Sequence, residues 1–147
     1  MTLKLPVSVL VVVHTAGGEV LLLERASRAN FWQSVTGSLD RLDEPPAEAA
    51  RREVREETGI DARPQDLRRW PLVYTFEIYP QWRHRFASGA THNTEHVFSL
   101  ELAQRLPVVL AADEHTASLW LPCRAAAARC FSWSNRDAIG MLLQGAR

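Results

Sequence analysis

A run of β-branched and other apolar residues near the start of the chain, Val7–Val13, constrains the fold most strongly. The run lacks the alternation of apolar and polar residues that is typical of a strand with one solvated face. We therefore expect a strand that is buried on both faces. A second apolar run, Val20–Leu23, follows the turn residues Gly17-Gly18, and this pattern predicts a hairpin.

Helices and further strands are predicted along the rest of the chain. A helix is expected from Pro45-Pro46 to Thr58, because proline is tolerated in a first turn and Gly59 can end a helix in the left-handed conformation. The segment Phe31–Asp43 is rich in turn formers and polar residues, and we expect most of it to be a loop. These elements predict an α/β (or α+β) fold, a mixed β-sheet sandwiched between helices, in one domain over residues 1–147. The later predicted elements are strands at Leu72–Tyr79, Val97–Leu102 and Ser118–Leu121, and a last helix that begins near Ser134 with Ile139, Leu142 and Leu143 on its apolar stripe.

Charge and cysteine content limit the classes of function. Seventeen basic residues balance seventeen acidic ones. Nucleic-acid-binding proteins usually carry a basic excess, so we expect a small-molecule partner instead. Cys123 and Cys130 match no zinc or disulfide pattern and predict two reduced thiols in a cytoplasmic protein. The run at Val7 is too short to span a membrane and no cleavage site follows it, so neither a membrane span nor a signal peptide is expected.

Three glutamates crowd one side of the predicted first helix. At one hundred degrees per residue, Glu53, Glu56 and Glu57 fall within one narrow arc. An apolar arc lies beside them and must face the core. We therefore expect the three carboxylates at the margin of the buried face, where a cleft could open. The members of the apolar arc are Ala47, Ala50, Val54 and Thr58.

A bound divalent cation would explain this crowding. Like charges three or four residues apart each destabilise a helix by about 0.2–0.5 kcal/mol, and partial burial increases the cost. Mg²⁺ reverses that cost, because it takes oxygen ligands from carboxylates and substrate phosphates; Mn²⁺ is a possible substitute. Arg52, four residues from both Glu48 and Glu56, could hold the cluster in one orientation. The alternative is a solvated helix face stabilised by ion pairs.

Residues that flank the helix favour the metal site. The spacing resembles the signature of the Nudix family, whose members hydrolyse pyrophosphate linkages with Mg²⁺. Gly37 precedes Glu44 by seven positions instead of the six usual in the family, so we expect one inserted residue in the preceding loop. The residues that carry the resemblance are Glu44, Arg52, Glu53, Val54, Glu56, Glu57, Gly59 and Ile60.

The similarity extends over nearly the whole chain. Phe31–Ser38 and Ser132–Arg136 are its most specific segments, joined by Pro6–Val12, Arg83–Arg85 and Asn93–Glu95. These segments are similar to a Nudix subgroup of bacterial folate synthesis. The resemblance implies the Nudix fold and hydrolysis of 7,8-dihydroneopterin triphosphate to the monophosphate and pyrophosphate. It also implies side activity on nucleoside triphosphates such as dATP.

Roles for individual residues follow from the same resemblance. Glu53, Glu57 and Glu114 would be metal ligands in a catalytic set that also includes Glu56. Glu56 is the first candidate for the base that accepts a proton from the attacking water, and Glu114 is the second. The residues that would line the substrate site are Lys4, Arg25, Thr36, Phe76, Glu77, Ile78, Tyr79, Glu114 and Ser132.

Several of these residues have purely structural alternatives. Lys4 could be part of a solvated terminus, Arg25 a strand-end charge and Ser132 the approach to the last helix. The basic segment Arg83–Arg85 could meet a triphosphate or form a solvated hairpin tip. The aromatic side chains that could stack on a heterocycle, but whose residue type is more often found in a core, are Trp82 and Trp133.

Two other functions fit the same residues. One is a housecleaning pyrophosphatase that acts on modified nucleoside triphosphates. The other is a catalytically silent domain that only binds a nucleotide, although such a binder has no need of the repulsive set Glu53, Glu56 and Glu57. A glycine-rich phosphate loop followed by Lys-Ser/Thr does not occur in the sequence, which argues against a P-loop mechanism.

Overall fold

The computed structural model describes residues 3–87 and 89–145. Positions 1, 2, 88, 146 and 147, which the predicted domain 1–147 includes, lie outside the described residues. The strands are β1 Val7–Thr15, β2 Glu19–Arg25, β3 Trp32–Gln33, β4 Val35–Ser38, β5 Leu67–Glu77, β6 His92–Leu102 and β7 His115–Pro122. The helices are α1 Pro46–Thr58, α2 Cys123–Arg129 and α3 Trp133–Leu143, with short 3-10 turns at Pro64–Asp66 and Pro80–Arg85.

The predicted first strand is the centre of a mixed sheet. β1 pairs in parallel with β6 along its whole length, and β6 in turn pairs antiparallel with β5. On its other side β1 pairs with β4 over Ser8–Val11 and with β2 at His14. The sheet therefore opens between β1 and β2, and β4 fills the gap. β2 pairs with β7 along one edge, and on its other edge it pairs with β3 at Leu23 and Glu24.

Both faces of β1 are buried, as its lack of alternation predicts. Val9 and Val11 pack on one face against Val54 of α1, because side chains alternate along a strand. Leu10 packs on the opposite face, in a cluster that includes Ile139 of α3. The predicted mixed sheet between helices is confirmed. Among the helices of the described residues, none is long and apolar enough to cross a membrane.

The prediction of a loop over Phe31–Asp43 is wrong in its first half. β3 and β4 lie there, although the segment is rich in polar and turn-forming residues. Their conformation comes from pairing with β2 and β1, which offer backbone groups to short strands of low intrinsic propensity. Tertiary pairing also extends β6 to His92 and moves the start of β5 back to Leu67.

The ends of the later elements differ from the predictions. β5 ends at Glu77, so Ile78 and Tyr79 lie after the strand. The helix α2 was not predicted, because its short alanine-rich segment follows β7 directly without a capping side chain. The last helix begins at Trp133, and Ser132 is its N-cap, whose hydroxyl accepts a hydrogen bond from the backbone N–H of Asn135.

The first helix has the predicted bounds, and Gly59 ends it with φ of 77°. Its buried stripe consists of Ala49, Ala50, Glu53, Val54, Glu57 and Thr58. The prediction that Ala47 is buried is wrong, because the buried arc is shifted toward Glu53 and Glu57 and leaves Ala47 exposed. For the same reason these two carboxylates lie inside the buried stripe and not at its margin.

Candidate active site

Two buried carboxylates of α1 form the centre of the candidate site. Glu57 is 0% exposed and Glu53 is 8% exposed. Neither carboxylate oxygen of Glu57 has a hydrogen-bond partner among residues 3–87 and 89–145. Burial, and then the neighbouring charge of Glu53, raises the pKa of Glu57 well above its usual value. A site this unfavourable for an anion is suited to a cation.

A glycine allows Glu53 to lie close to the sheet. A Cβ atom added to Gly37 of β4 would lie 2.0 Å from Cδ of Glu53, so a larger residue at that position would displace the Glu53 carboxylate. Burial also raises the pKa of Glu53. The close approach of β4 and α1 therefore fixes the height of this carboxylate above the sheet.

Arg52 holds the start of the helix and the preceding loop together. Its guanidinium group donates to the buried carboxylate of Glu44, to the Ser38 carbonyl and to Glu53, the last at 2.7 Å. The Arg52 interaction lowers the pKa of Glu44. Because Gly37 and Glu44 both reach their partners, the expected extra residue is accommodated between them.

The start of β7 brings two more ligand atoms to Glu57. Oxygen atoms of Glu57 and Glu114 and a ring nitrogen of His115 all lie within 4.8 Å of one another. Burial, and then the charge of Arg25, lowers the pKa of His115 to about 4, so its ring is neutral near pH 7. We call Glu53, Glu57, Glu114 and His115 the acidic cluster. The sequence analysis missed His115, and its only signal there is its position next to Glu114.

Glu56 lies at the edge of this cluster. Its side chain is 52% exposed and forms an ion pair with Arg52 at 3.5 Å. Its charge nevertheless contributes to raising the pKa values of Glu53 and Glu57, so its carboxylate is close to both. The three glutamates predicted to share an arc do so, with two buried and one in contact with water.

Three cations lie around the acidic cluster. Partial desolvation, and then the charges of Arg25 and Arg85, lowers the pKa of Lys4, and Glu114 and Glu53 oppose this effect. Arg25 is held by Gln33, to whose side-chain oxygen it donates at 3.2 Å. We call Lys4, Arg25 and Arg85 the cationic group. The cationic group suits the phosphates of a substrate, and the neighbouring carboxylates suit a metal ion.

Arg83–Arg85 lies in the connection between the antiparallel strands β5 and β6. The segment lies in a 3-10 turn, and its members have different roles. Arg83 donates to the Ile78 carbonyl and to Glu77, which fixes the backbone after β5. Only Arg85 belongs to the cationic group.

Gln33 connects the predicted substrate residues to the acidic cluster. Its amide nitrogen lies 3.3 Å from the Thr36 hydroxyl and 3.4 Å from the His115 ring. Because its oxygen accepts from Arg25, one buried side chain contacts three residues of the site. The sequence analysis did not single out Gln33, since a glutamine in a predicted loop carries no signal of this role.

The remaining predicted substrate residues lie along the side of the site formed by β5 and α3. Phe76 is half-buried and faces Trp133, with ring centroids 6.5 Å apart. Trp133 is 49% exposed and Trp82 is half-buried, so neither has the core position typical of tryptophan. Trp82 packs under the Arg25 guanidinium at 5.0 Å. Ser132, Ile78 and Tyr79 lie near the ends of these same elements.

The residues present fit a divalent cation. Glu57 offers two buried oxygens that accept from no donor in the described part of the chain, and Glu53, Glu114 and the neutral His115 supply further oxygen and nitrogen atoms. Carboxylate oxygens are the preferred protein ligands of Mg²⁺ and Mn²⁺. The acidic cluster is therefore the candidate metal centre.

The fold and this cluster define a Nudix domain. The NUDIX domain family matches residues 4–140, and the chain belongs to the Nudix family of hydrolases. Its relatives include the dihydroneopterin triphosphate diphosphatase of Escherichia coli strain K12, which is 45% identical over 139 residues, 92% of this chain and 91% of that protein. The enzyme of the same name from Haemophilus influenzae is 36% identical over 135 residues, 90% of this chain and 84% of its own.

Solved structures agree with this assignment. The structure of the E. coli dihydroneopterin triphosphate pyrophosphohydrolase matches with a TM-score of 0.90 and 42% identity, over 99% of this chain and 100% of that one. The MutT protein of Methanosarcina mazei matches with a TM-score of 0.69 at 22% identity, over 99% and 97% of the two chains, and shares the fold. The predicted family, the fold class and the prediction of an enzyme are confirmed.

Proposed function

We propose that this Nudix hydrolase cleaves 7,8-dihydroneopterin triphosphate to the monophosphate and pyrophosphate, with Mg²⁺ as its metal ion. The observation that carries the proposal is the buried Glu57 carboxylate, which has no donor among the described residues and lies beside the cationic group. Two relatives that act on this substrate by name, at 45% and 36% identity, support the pterin as the substrate.

Glu53, Glu57 and Glu114 are the proposed metal ligands, with His115 as a further candidate from the structure. When bound, the ion would neutralise charge on the reacting phosphate and lower the pKa of the attacking water. Lys4, Arg25 and Arg85 would bind the remaining phosphate oxygens, and Arg25 can do so through two parallel hydrogen bonds. The contacts of Gln33 keep Arg25, Thr36 and His115 in fixed positions before the substrate arrives.

Glu56 is the first candidate for the base, because it contacts solvent yet lies close to both buried carboxylates. Glu114 is the second, since it lies within the acidic cluster. Replacement of the true base by glutamine should lower kcat by on the order of 100-fold and leave the Mg²⁺ concentration for half-maximal activity unchanged. Replacement of a ligand should raise that Mg²⁺ concentration.

The rest of the proposed substrate site consists of Thr36, Phe76–Tyr79, Glu114 and Ser132 around the heterocycle and its side chain. We propose that the domain spans the chain and that Mn²⁺ can replace Mg²⁺. We also propose that the enzyme acts in the cytoplasm, an inference supported by the buried thiol of Cys130.

Pyrophosphate release is the experiment that tests this function. The purified protein is given 7,8-dihydroneopterin triphosphate with Mg²⁺, with Mn²⁺ or with a chelator, and the same assay is repeated with dATP in competition. We expect pyrophosphate release only with a metal ion, and a higher kcat/KM for the pterin. A preference for dATP would favour the housecleaning function, and absence of release with either substrate would favour a silent binding domain.

A further inference from the structure

Polar atoms without partners are also buried on the other face of the sheet, beneath α3. Glu95 is 4% exposed, and its Oε1 has no hydrogen-bond partner within the part of the chain that the structure describes. The side-chain oxygens of Asn93 and Ser34 are likewise buried and without partners there. We call Glu95, Asn93 and Ser34 the polar patch. Buried acceptors without donors are costly, and a bound ligand is one way to satisfy them.

Hydrogen bonds from three segments hold the polar patch in position. Asn93 and Glu95 are two residues apart on β6 and so face the same side, and Asn93 donates to the Ser8 hydroxyl at 2.7 Å. A hydrogen bond with Ser134 of α3 acts on the Glu95 carboxylate. The backbone N–H of Ser34 donates at 2.8 Å to Asn135, the residue after Ser134.

Aromatic side chains lie at the outer edge of the polar patch. Phe76 is opposite Asn93 in the antiparallel pair of β5 and β6, so both side chains are on the same face. Trp133 lies edge-on to Tyr74, with centroids 5.2 Å apart, and is half exposed. Polar acceptors below exposed aromatic rings form the kind of site that binds a planar heterocycle.

The polar patch is continuous with the acidic cluster. Gln33 contacts His115, and the next residue, Ser34, bonds through its backbone to Asn135 beneath α3. Thr36 then returns to contact Gln33. The segment Gln33–Thr36 therefore lies between the polar patch and the acidic cluster, where the phosphates are proposed to bind. This arrangement is expected if a single substrate contacts both.

We propose that Glu95 is a specificity-determining residue that accepts hydrogen bonds from two adjacent N–H groups of a 2-amino-4-oxopyrimidine ring, the ring shared by pterins and guanine. This proposal rests on the proposed function, because it identifies which part of the triphosphate substrate is recognised. Asn93 and Ser34 would meet further polar atoms of the same ring.

The chemistry of the ring edges explains the selectivity. A 2-amino-4-oxopyrimidine presents an amino group beside a ring N–H, two donors that match the two oxygens of a carboxylate. The corresponding edge of adenine presents an amino donor beside a ring nitrogen that only accepts, which would face a carboxylate oxygen. Burial raises the pKa of Glu95 to about 7, and two ring donors would favour its ionised form.

Substrate selectivity of Glu95→Gln tests this proposal. Values of kcat/KM are measured for 7,8-dihydroneopterin triphosphate, dGTP and dATP in the wild type, in Glu95→Gln and in Glu101→Gln, which changes a half-exposed glutamate of the same strand. Glu95→Gln should lower the pterin-to-dATP and dGTP-to-dATP ratios by about 100-fold, because an amide cannot accept from both donors. The ratios of Glu101→Gln should equal those of the wild type.

Parallel losses for all three substrates in Glu95→Gln would overturn the proposal. A loss for the pterin without a loss for dGTP would restrict the recognised ring to the pterin. If Glu95→Gln does not fold, Asn93→Ala is measured in its place. The pterin-to-dATP ratio should then fall by about 10-fold, and an unchanged ratio would overturn the proposal. Failure of the proposed function is seen separately, because the wild type would then not hydrolyse the pterin substrate.

Discussion

The acidic cluster and the polar patch lie on opposite faces of one sheet, and each buries a carboxylate with at least one oxygen that has no hydrogen-bond partner among the described residues. Glu57 is surrounded by other acids, Glu53 and Glu114, and by cations beyond them. For Glu95, burial is the main cause of the raised pKa, and the Ser134 hydroxyl opposes it. The number of neighbouring acids therefore predicts what each carboxylate binds. Several crowded carboxylates are stabilised by a metal ion, whereas a single buried carboxylate can be stabilised by neutral N–H donors.

The largest effect is expected from neutralising the acidic cluster. Glu57→Gln keeps the shape of the side chain but removes the charge that would hold the cation, so kcat should fall by on the order of 1,000-fold. The measurement is pyrophosphate release at saturating Mg²⁺. Glu48→Gln, an exposed position of α1, is the matched control and should retain full activity. An active Glu57→Gln enzyme would contradict the assignment of Glu57, in contrast to Glu95, as a metal ligand.

A pH effect on stability should distinguish Glu95 from an ordinary glutamate. Because its folded pKa of about 7 is above the usual 4.5, the folded state binds the proton more tightly than the unfolded state. The resulting stabilisation is complete below pH 4.5 and is lost as the pH rises through 7. Relative to Glu95→Gln, the free energy of unfolding of the wild type should fall by about 3 kcal/mol across this range. The measurement is chemical denaturation of the wild type and of Glu95→Gln between pH 4 and pH 8. If the free energies of unfolding of the two proteins change in parallel with pH, Glu95 is not buried as described.

The position of Glu53 can be changed without altering its charge. In Gly37→Ala the new Cβ would occupy the space of the Glu53 carboxylate and displace it, so kcat/KM should fall by about 100-fold. Gly140→Ala in α3 is the control, because nothing lies within 4 Å of an added Cβ there. Steady-state assays of both variants check this expectation, and equal activities would show that the geometry of Glu53 does not matter.

The smallest effect is expected in the cationic group. Arg85→Gln should raise KM for the triphosphate by about 10-fold with a smaller change in kcat, because one charge-assisted contact to phosphate is lost while the acidic cluster is intact. Arg68→Gln, an exposed position of β5, is the matched control. A KM equal to that of the wild type would place Arg85 outside the phosphate site.

The sequence predicts the acidic cluster much better than the polar patch. The reason is how far apart the residues of each site lie along the sequence. Glu53 and Glu57 share one helix, whose bounds follow from Pro45-Pro46 and Gly59. Ser34, Glu95 and Ser134 belong to three distant segments that only the folded sheet brings together. β3 and β4 were missed for a similar reason, since their conformation depends on strands elsewhere in the chain. His115 and Gln33 likewise become recognisable only through their contacts.

Anomalous diffraction from crystals of the wild-type protein soaked in Mn²⁺ tests the central claim most directly, because it locates the ion relative to both buried carboxylates. We predict an anomalous peak within about 2.0–2.3 Å of a Glu57 oxygen and none beside Glu95. A peak beside Glu95, or the absence of one at Glu57, would contradict the distinction between a metal-binding carboxylate and a ring-binding one.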